Sequence, residues 1–278
     1  MTVGFATKAG LVPFHAWLPD AHSEAPSPIS ALLSGLIIKI GAYALTRTVT
    51  IFAPTYHTIV VFIAILCSIS MVVGIIMALV QDDLKRMLAF SSVSQISYVF
   101  EGLALGTYLG IYSGLFHLVN HTLIKALLFL SVGAVMYASG GVRRISQLGG
   151  LAAKMPLTAA CFVLGALSIS GLPPLNGFVS KFSLFLAIGD ARLYWALVIS
   201  IVTGLLTLAC LMRAAYLVFW KKPDLPPAAD FQPVPLSMHV SMVVLALLCL
   251  MIGLLPGTLF PVLDQATRAV MQIWAAGM

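Results

Sequence analysis

Residues Gly165–Ala187 read GALSISGLPPLNGFVSKFSLFLA. The stretch is apolar enough to lie in a bilayer, yet Gly171, Pro173, Pro174, Asn176 and Gly177 interrupt it. Two adjacent prolines remove two backbone donors, and their rings clash with the preceding turn, so a helix breaks here. Lipid cannot satisfy the freed backbone groups, and such a break must face protein or a water-filled cavity. Lys181 follows Gly177 by four residues, and the apolar run continues past it through Phe182–Ile188. An ammonium in that setting marks an ion path by default. The blander reading is a kink with a lysine snorkelling to the surface. It needs a membrane boundary beside Lys181, and the continuing apolar run argues against one.

The rest of the chain has the same character. Of 278 residues, 60% are hydrophobic and 9% charged, where a soluble domain carries about a quarter charged. The chain therefore reads as an all-α integral membrane protein. No charged segment precedes the first apolar one, so no cleavable signal peptide is expected. Cys67, Cys161, Cys210 and Cys249 lie singly in apolar runs, without metal-ligand or redox-pair spacing, and read as small hydrophobes. The net charge of +6 reads as an orientation signal, since basic residues cluster in the loops, and nothing resembles a nucleic-acid footprint.

A span needs about 20 apolar residues. About eight candidates follow: Thr2–Trp17, short and abrupt; Pro28–Thr50; Thr58–Val80; Leu84–Leu105; Tyr108–Ala138; Leu157–Ile188, which contains the break; Leu193–Trp220; and Ser237–Leu259. Asp264–Trp274 reads as an amphipathic tail at the interface. Leu18–Ser27, LPDAHSEAPS, reads as a polar, turn-forming connection. With strict alternation, the connections after spans one, three, five and seven share one side. That side holds Lys85, Arg86, Arg143, Arg144, Lys154, Lys221 and Lys222, against Arg47, Arg192 and Arg268 on the other. The basic side is expected to be cytoplasmic.

Several ionisable residues lie inside the spans. Lys8 precedes Gly10 and Pro13 in KAGLVPFHAWLPDAH, a second interrupted apolar stretch with a lysine. Two such segments point to an internal repeat with a midplane site, although Lys8 reads equally well as an interfacial anchor. Lys39 sits eleven residues into span two, too deep to snorkel easily. His117, His121 and Lys125 recur at steps of four in span five and share one helix face. Histidine exchanges protons near neutral pH, and desolvation helps a buried lysine lose its proton. A stripe of three such groups is able to pass a proton. Metal binding by the histidine pair is the weaker reading, because span five offers no acidic third ligand and Lys125 repels a cation. Glu101 and Arg213 read as structural charges. Ser91, Ser92, Ser94, Gln95 and Ser97 suit either helix–helix hydrogen bonds or a wet interior.

Four motifs, LVPFHAWLPDAHSEAPSPISALLSGLIIKIGAYAL, DDLKRMLAFSSVSQISYV, HLVNHTLIKALLFLSVGAV and GLPPLNGFVSKF, resemble the antiporter-type subunits of respiratory complex I. That family also includes subunits of multi-subunit cation/proton antiporters and membrane-bound hydrogenases. The motifs occur in the family's order and span nearly the whole chain. The resemblance implies a fourteen-helix fold with two inverted five-helix repeats, each with a lysine-bearing broken helix. It implies a proton pathway through Lys8, Lys39, His117, His121, Lys125 and Lys181. It implies residues 1–57 as a two-helix remnant of the first repeat and 58–222 as the complete second repeat, broken near 171–177. Residues 223–278 then form a loop, the last span and the tail. About six helices of that fold are missing, so the chain is expected to be a fragment or to take them from a separate polypeptide. The expected function is that of a proton-translocating subunit of a complex I-like NADH-quinone oxidoreductase in the inner cell membrane. Other membrane subunits and the lipid bilayer are its expected partners. It holds no cofactor of its own, because no haem, flavin or iron–sulfur ligand pattern is visible. A Na+/H+ antiporter or hydrogenase subunit, and a non-conducting scaffold, are the alternatives.

Overall fold

The computed structural model describes residues 2–44, 57–222 and 231–276. The predicted end of span two, with Arg47, and residues 223–230 of the proline-rich connection lie outside them. Among the described residues every element is a helix. In order they form α1 (Thr2–Ala9), α2 (Trp17–Glu24), α3 (Ser27–Ala44), α4 (His57–Leu79), α5 (Leu84–Ala104) and α6 (Tyr108–Ala138). Then come α7 (Pro156–Ser170), α8 (Asn176–Asp190), α9 (Tyr194–Trp220), α10 (Leu236–Leu254) and α11 (Phe260–Ala276).

Five of these, α3, α4, α6, α9 and α10, are long and apolar enough to cross a bilayer. The 21-residue α5 has the length but carries the serine-rich stretch, and all its residues except Arg86 are buried. The sixth predicted span consists of two 15-residue halves, α7 and α8. The bundle turns its apolar side outward. Val198, Ile201, Val202 and Leu205 of α9, and Val240, Val244, Leu247 and Met251 of α10, are exposed at helical spacing. The serines, threonines, histidines and lysines of α5, α6 and α8 face mainly inward. The hydrophobic effect gives no drive for association between lipid-facing surfaces, so close packing and interhelical hydrogen bonds hold such bundles. Gly74 of α4 packs directly on the backbone of α5, where an added Cβ would come 2.7 Å from Ser94 N.

Both interrupted helices end alike. α7 stops at Gly171, whose φ of 89° suits a residue without Cβ. There Gly171 N donates to Ser168 O and Leu172 N to Leu167 O, a Schellman closure. α1 repeats it at Gly10, φ 75°, with Gly10 N to Thr7 O and Leu11 N to Ala6 O. In each break a cis proline peptide follows two residues later, at Val12–Pro13 and Pro173–Pro174. The lysines sit on opposite sides of their breaks, Lys8 before and Lys181 after.

The connection expected over Leu18–Ser27 is in fact largely helical. Pro19 falls in the first turn of α2, where a missing N–H costs nothing, and Leu18, Pro19, His22 and Ser23 are buried against α5. Its polar residues are spent at one end of the bundle. Arg86 pairs with Asp20 at 2.9 Å, and Lys85 Nζ donates to the carbonyls of Ser23 and Ala25. Lys85, expected in a loop, is therefore buried in the first turn of α5.

The connections predicted to share a side do meet there. Leu84 N donates to Arg143 O, Ile145 N to Asp82 O, and Gln232 N to Ala138 O. Asp83 caps α5 by accepting from Lys85 N and Arg86 N, and its second oxygen pairs with Arg143 Nε at 2.8 Å. Replacing Asp83 with Ala removes the cap and this half-buried pair. A loss of about 1–2 kcal/mol is expected, read as a lower unfolding temperature in detergent. Arg143→Ala, which leaves the cap, should lose less.

Candidate functional site

The 31-residue α6 lies at the centre and packs against α3, α5, α7, α8, α10 and α11. Thr107 caps it through Gly110 N. Its inward face carries His117, Asn120, His121 and Lys125, all fully buried, and the expected stripe is present in space. The His117 and His121 rings lie 6.3 Å apart.

Each member has its own neighbour on another helix. Lys39 Nζ reaches from α3 to within 2.6 Å of His121 Nδ1. It also donates to Ser34 O, in a turn of π-helix at Leu33–Ile37. Such π turns recur at functional positions. Lys125 Nζ donates to Leu88 O at 3.0 Å and to Ser91 Oγ, both on α5. His117 Nδ1 lies 3.0 Å from Ser180 Oγ of α8, one residue before Lys181. Lys181 Nζ lies 4.5 Å above the Tyr98 ring and makes no hydrogen bond among the described residues. The other ring nitrogens, His117 Nε2 and His121 Nε2, are also buried without a partner among the described residues.

The break itself is bolted to α6. Asn120 Nδ2 donates to Asn176 O at 2.9 Å, and Asn176 Nδ2 to Asn120 Oδ1 at 3.0 Å. Ser168 Oγ, on the other half-helix, donates to Asn176 Oδ1. The two halves pack so closely that a Cβ on Gly177 would overlap the Ser168 carbonyl. Gly253 of α10 gives the same clearance on the far side, where a Cβ would stand 2.6 Å from Asn176 N. Lys181 borders a pocket of about 260 Å³ that opens between Phe182, Phe185 and Leu205.

Five of the six sequence-predicted residues, Lys39, His117, His121, Lys125 and Lys181, are thus gathered and buried. Lys8 is not among them, because it lies exposed on α1 with no described element over it. Leu32, Leu36, Ile40 and Tyr43 of α3 are exposed as well, and a groove of about 820 Å³ reaches Lys39 beside α11. Sequence reasoning missed the Asn120–Asn176 clasp, the buried His22 stacked 4.8 Å from Phe129, and the place of Tyr98 under Lys181. Asn120 beside His121 was the available signal for the first. Nothing in periodicity distinguishes Tyr98 from a packing aromatic.

Residues 1–207 match the family described as NADH:quinone oxidoreductase/Mrp antiporter, TM. The chain is 39% identical to NADH-quinone oxidoreductase subunit N of Desulforudis audaxviator over 238 residues, which cover 84% of it and 47% of that protein. It is 37% identical to an Na(+)/H(+) antiporter subunit of Alkalihalophilus pseudofirmus over 222 residues, covering 78% and 44%. A chain in the structure of the Mrp complex from Dietzia sp. superposes with a TM-score of 0.88 at 28% identity, covering 98% of this chain and 58% of that one. The chain therefore spans about half the length of the curated relatives it matches.

Proposed function

This chain belongs to the NADH:quinone oxidoreductase/Mrp antiporter transmembrane family, and we propose that it is a proton-translocating subunit of a complex I-like assembly. The observation that carries the reading is the buried series Lys39, His121, His117 and Lys181, with Lys125 one helical turn from His121.

A proton carrier must change charge, and burial makes each of these charges costly. Repulsion then orders the traffic. Two positive charges about 6 Å apart at an effective dielectric of about 20 repel by roughly 2–3 kcal/mol. With the rings 6.3 Å apart, His117 and His121 seldom carry a proton together, so charge on one expels charge from the other. Lys39 supplies a proton to His121, His117 receives it, and Lys181 stores it beside the break. Lys125, held by the α5 carbonyl of Leu88, feeds the same stripe. The chain supplies no redox chemistry in this scheme, and electrons belong to partner subunits.

The face that exposes Lys8 and the apolar side of α3 is covered in the working protein by further membrane helices. They come from the same polypeptide or a separate one, together with other membrane subunits. The protein is multi-pass, and the inner cell membrane is its proposed location. The seven-to-three bias in basic residues sets the end holding Asp83, Arg143 and Ser146 in the cytoplasm. A thiol reagent applied outside intact cells should leave Ser146→Cys unlabelled and label it once the membrane is opened. Labelling in intact cells reverses the topology.

The similarity to an Na(+)/H(+) antiporter subunit supports a second reading, in which sodium is exchanged for the proton. Proton uptake by sealed vesicles carrying the assembled complex, driven with and without sodium, separates the two. Uptake indifferent to sodium supports the first, and uptake that requires sodium supports the second.

A further inference from the structure

Glu101 has no part in the series above, yet it is fully buried. Its Oε2 accepts from Ser200 Oγ at 2.9 Å, and its Oε1 has no partner among the described residues. Glu101 stands one turn along α5 from Tyr98, whose ring holds the Lys181 ammonium. On α9 the same spacing recurs. Ser200 Oγ faces Glu101, and Thr203 Oγ1 stands 2.7 Å from the Tyr98 hydroxyl, which donates to Ser200 O at 2.6 Å. Two polar rungs therefore lie stacked between α5 and α9, and Lys181 sits at the inner one. Gly204 leaves the inner rung open, because a Cβ there would be 3.7 Å from the Tyr98 hydroxyl and 3.9 Å from Lys181 Nζ. The other groups around the outer rung are Cys67 and Met71 of α4, with Met71 Sδ 3.6 Å from Ser200 Oγ. No cation stands against the carboxyl among the described residues. One turn beyond Glu101, α5 ends, and Thr107 and Tyr108 are exposed.

We propose that Glu101 is the outward proton acceptor for Lys181, reached through Tyr98, Thr203 and Ser200. The proposal rests on the proton-carrying reading of Lys181. Lys181 gives one proton and becomes a neutral amine. Water carries it from the ammonium over the ring to the Tyr98 hydroxyl, and each hydroxyl on the way accepts one proton and releases another, with water again between the rungs. Glu101 goes from carboxylate to carboxylic acid, and one proton has moved one helical turn toward the end of the bundle opposite Asp83 and Arg143. A buried carboxylate needs several partners to remain charged, and Glu101 with one donor and one bare oxygen is poised to take a proton.

The test uses the assembled complex in sealed vesicles. Glu101→Gln keeps the shape and removes the titration, and Tyr98→Phe keeps the ring under Lys181 and removes the hydroxyl. Each should slow proton translocation by roughly 10²-fold, the range of one positioned proton-transfer group. Glu101→Asp should retain more of the rate than Glu101→Gln. Infrared difference spectra of working vesicles should show a protonated-carboxyl band that disappears in Glu101→Gln. Parent-like pumping by Glu101→Gln or Tyr98→Phe, while Lys181→Ala is inactive, overturns the branch and leaves the Lys181 reading intact. Parent-like pumping by Lys181→Ala overturns both. If Glu101→Gln fails to assemble, Tyr98→Phe and the infrared band in the parent decide. Absence of the band identifies a fixed counter-charge and overturns the proposal.

Discussion

Lys181→Ala is expected to abolish proton translocation by the assembled complex, and Lys181→Arg to do nearly the same. The side chain is 2% exposed, has no hydrogen-bond partner among the described residues, and rests on the Tyr98 face beside a mainly apolar pocket. A cation–π contact tolerates the charged form but does not lock it there, since such contacts contribute only about 0.5–2 kcal/mol. An amine in that position can give up its proton when a neighbouring charge changes. A guanidinium cannot, because it holds its proton at any relevant pH. The arginine variant is the more informative of the two. It preserves the positive charge and much of the stem, so a structural anchor would accept it with modest loss. A carrier would lose roughly 10²-fold or more. The measurement is proton uptake into sealed vesicles, with assembly checked in the same preparation. A Lys181→Arg complex that assembles and pumps like the parent makes Lys181 an anchor, and the proton-carrying reading fails.

Gly177→Ala is expected to be the most damaging single methyl addition among the described glycines. The new Cβ would overlap the Ser168 carbonyl and stand 2.8 Å from its carbon. Both contacts are backbone, so no rotamer change relieves them. One half-helix must move off the other, and that movement pulls Asn176 from Asn120 and from Ser168. Overpacking usually costs about 1–3 kcal/mol, and a backbone collision belongs at the upper end or beyond. The expected result is a large fall in unfolding temperature and poor assembly. Gly257→Ala, with open space around its Cβ, is the control and should stay within about 0.5 kcal/mol of the parent. Equal melting of the two variants would show that α7 and α8 are less tightly joined than their packing indicates.

The two predictions fail in different ways. Loss at Lys181 should leave the fold standing and stop the traffic, whereas loss at Gly177 should remove the scaffold. The separation follows from what each residue touches. Lys181 meets a ring and a pocket, and Gly177 meets main chain.

Much of this was legible from residue order, for reasons of local physics. Hydropathy identifies the spans because a helix that crosses lipid must be long and apolar, with its backbone satisfied internally. Paired prolines after a glycine locate the break, since they remove donors wherever they occur. Steps of four residues place His117, His121 and Lys125 on one face by helix geometry alone. Order also misled in places, and each failure was tertiary. Leu18–Ser27 read as a turn-forming connection, but residues 18–24 fold as a helix, because the buried Leu18, His22 and Ser23 outweigh the turn preference of LPDAHSE. Lys85 looked like a loop cation, yet the carbonyls of Ser23 and Ala25 draw it into the bundle end. Lys8 and Lys39 both lie in predicted spans, Lys39 deep in its span and Lys8 equally readable as an interfacial anchor. Only the packing separates them, leaving one exposed on α1 and bringing the other to His121. Glu101 read as a structural charge, because sequence spacing carries no information about which residues of α9 stand opposite α5. Local periodicity, breaks and composition are properties of a single segment and can be read along the chain. Which charge is covered, which is paired, and which faces a bare carboxyl oxygen depends on residues about a hundred positions away. Those outcomes belong to the tertiary structure alone.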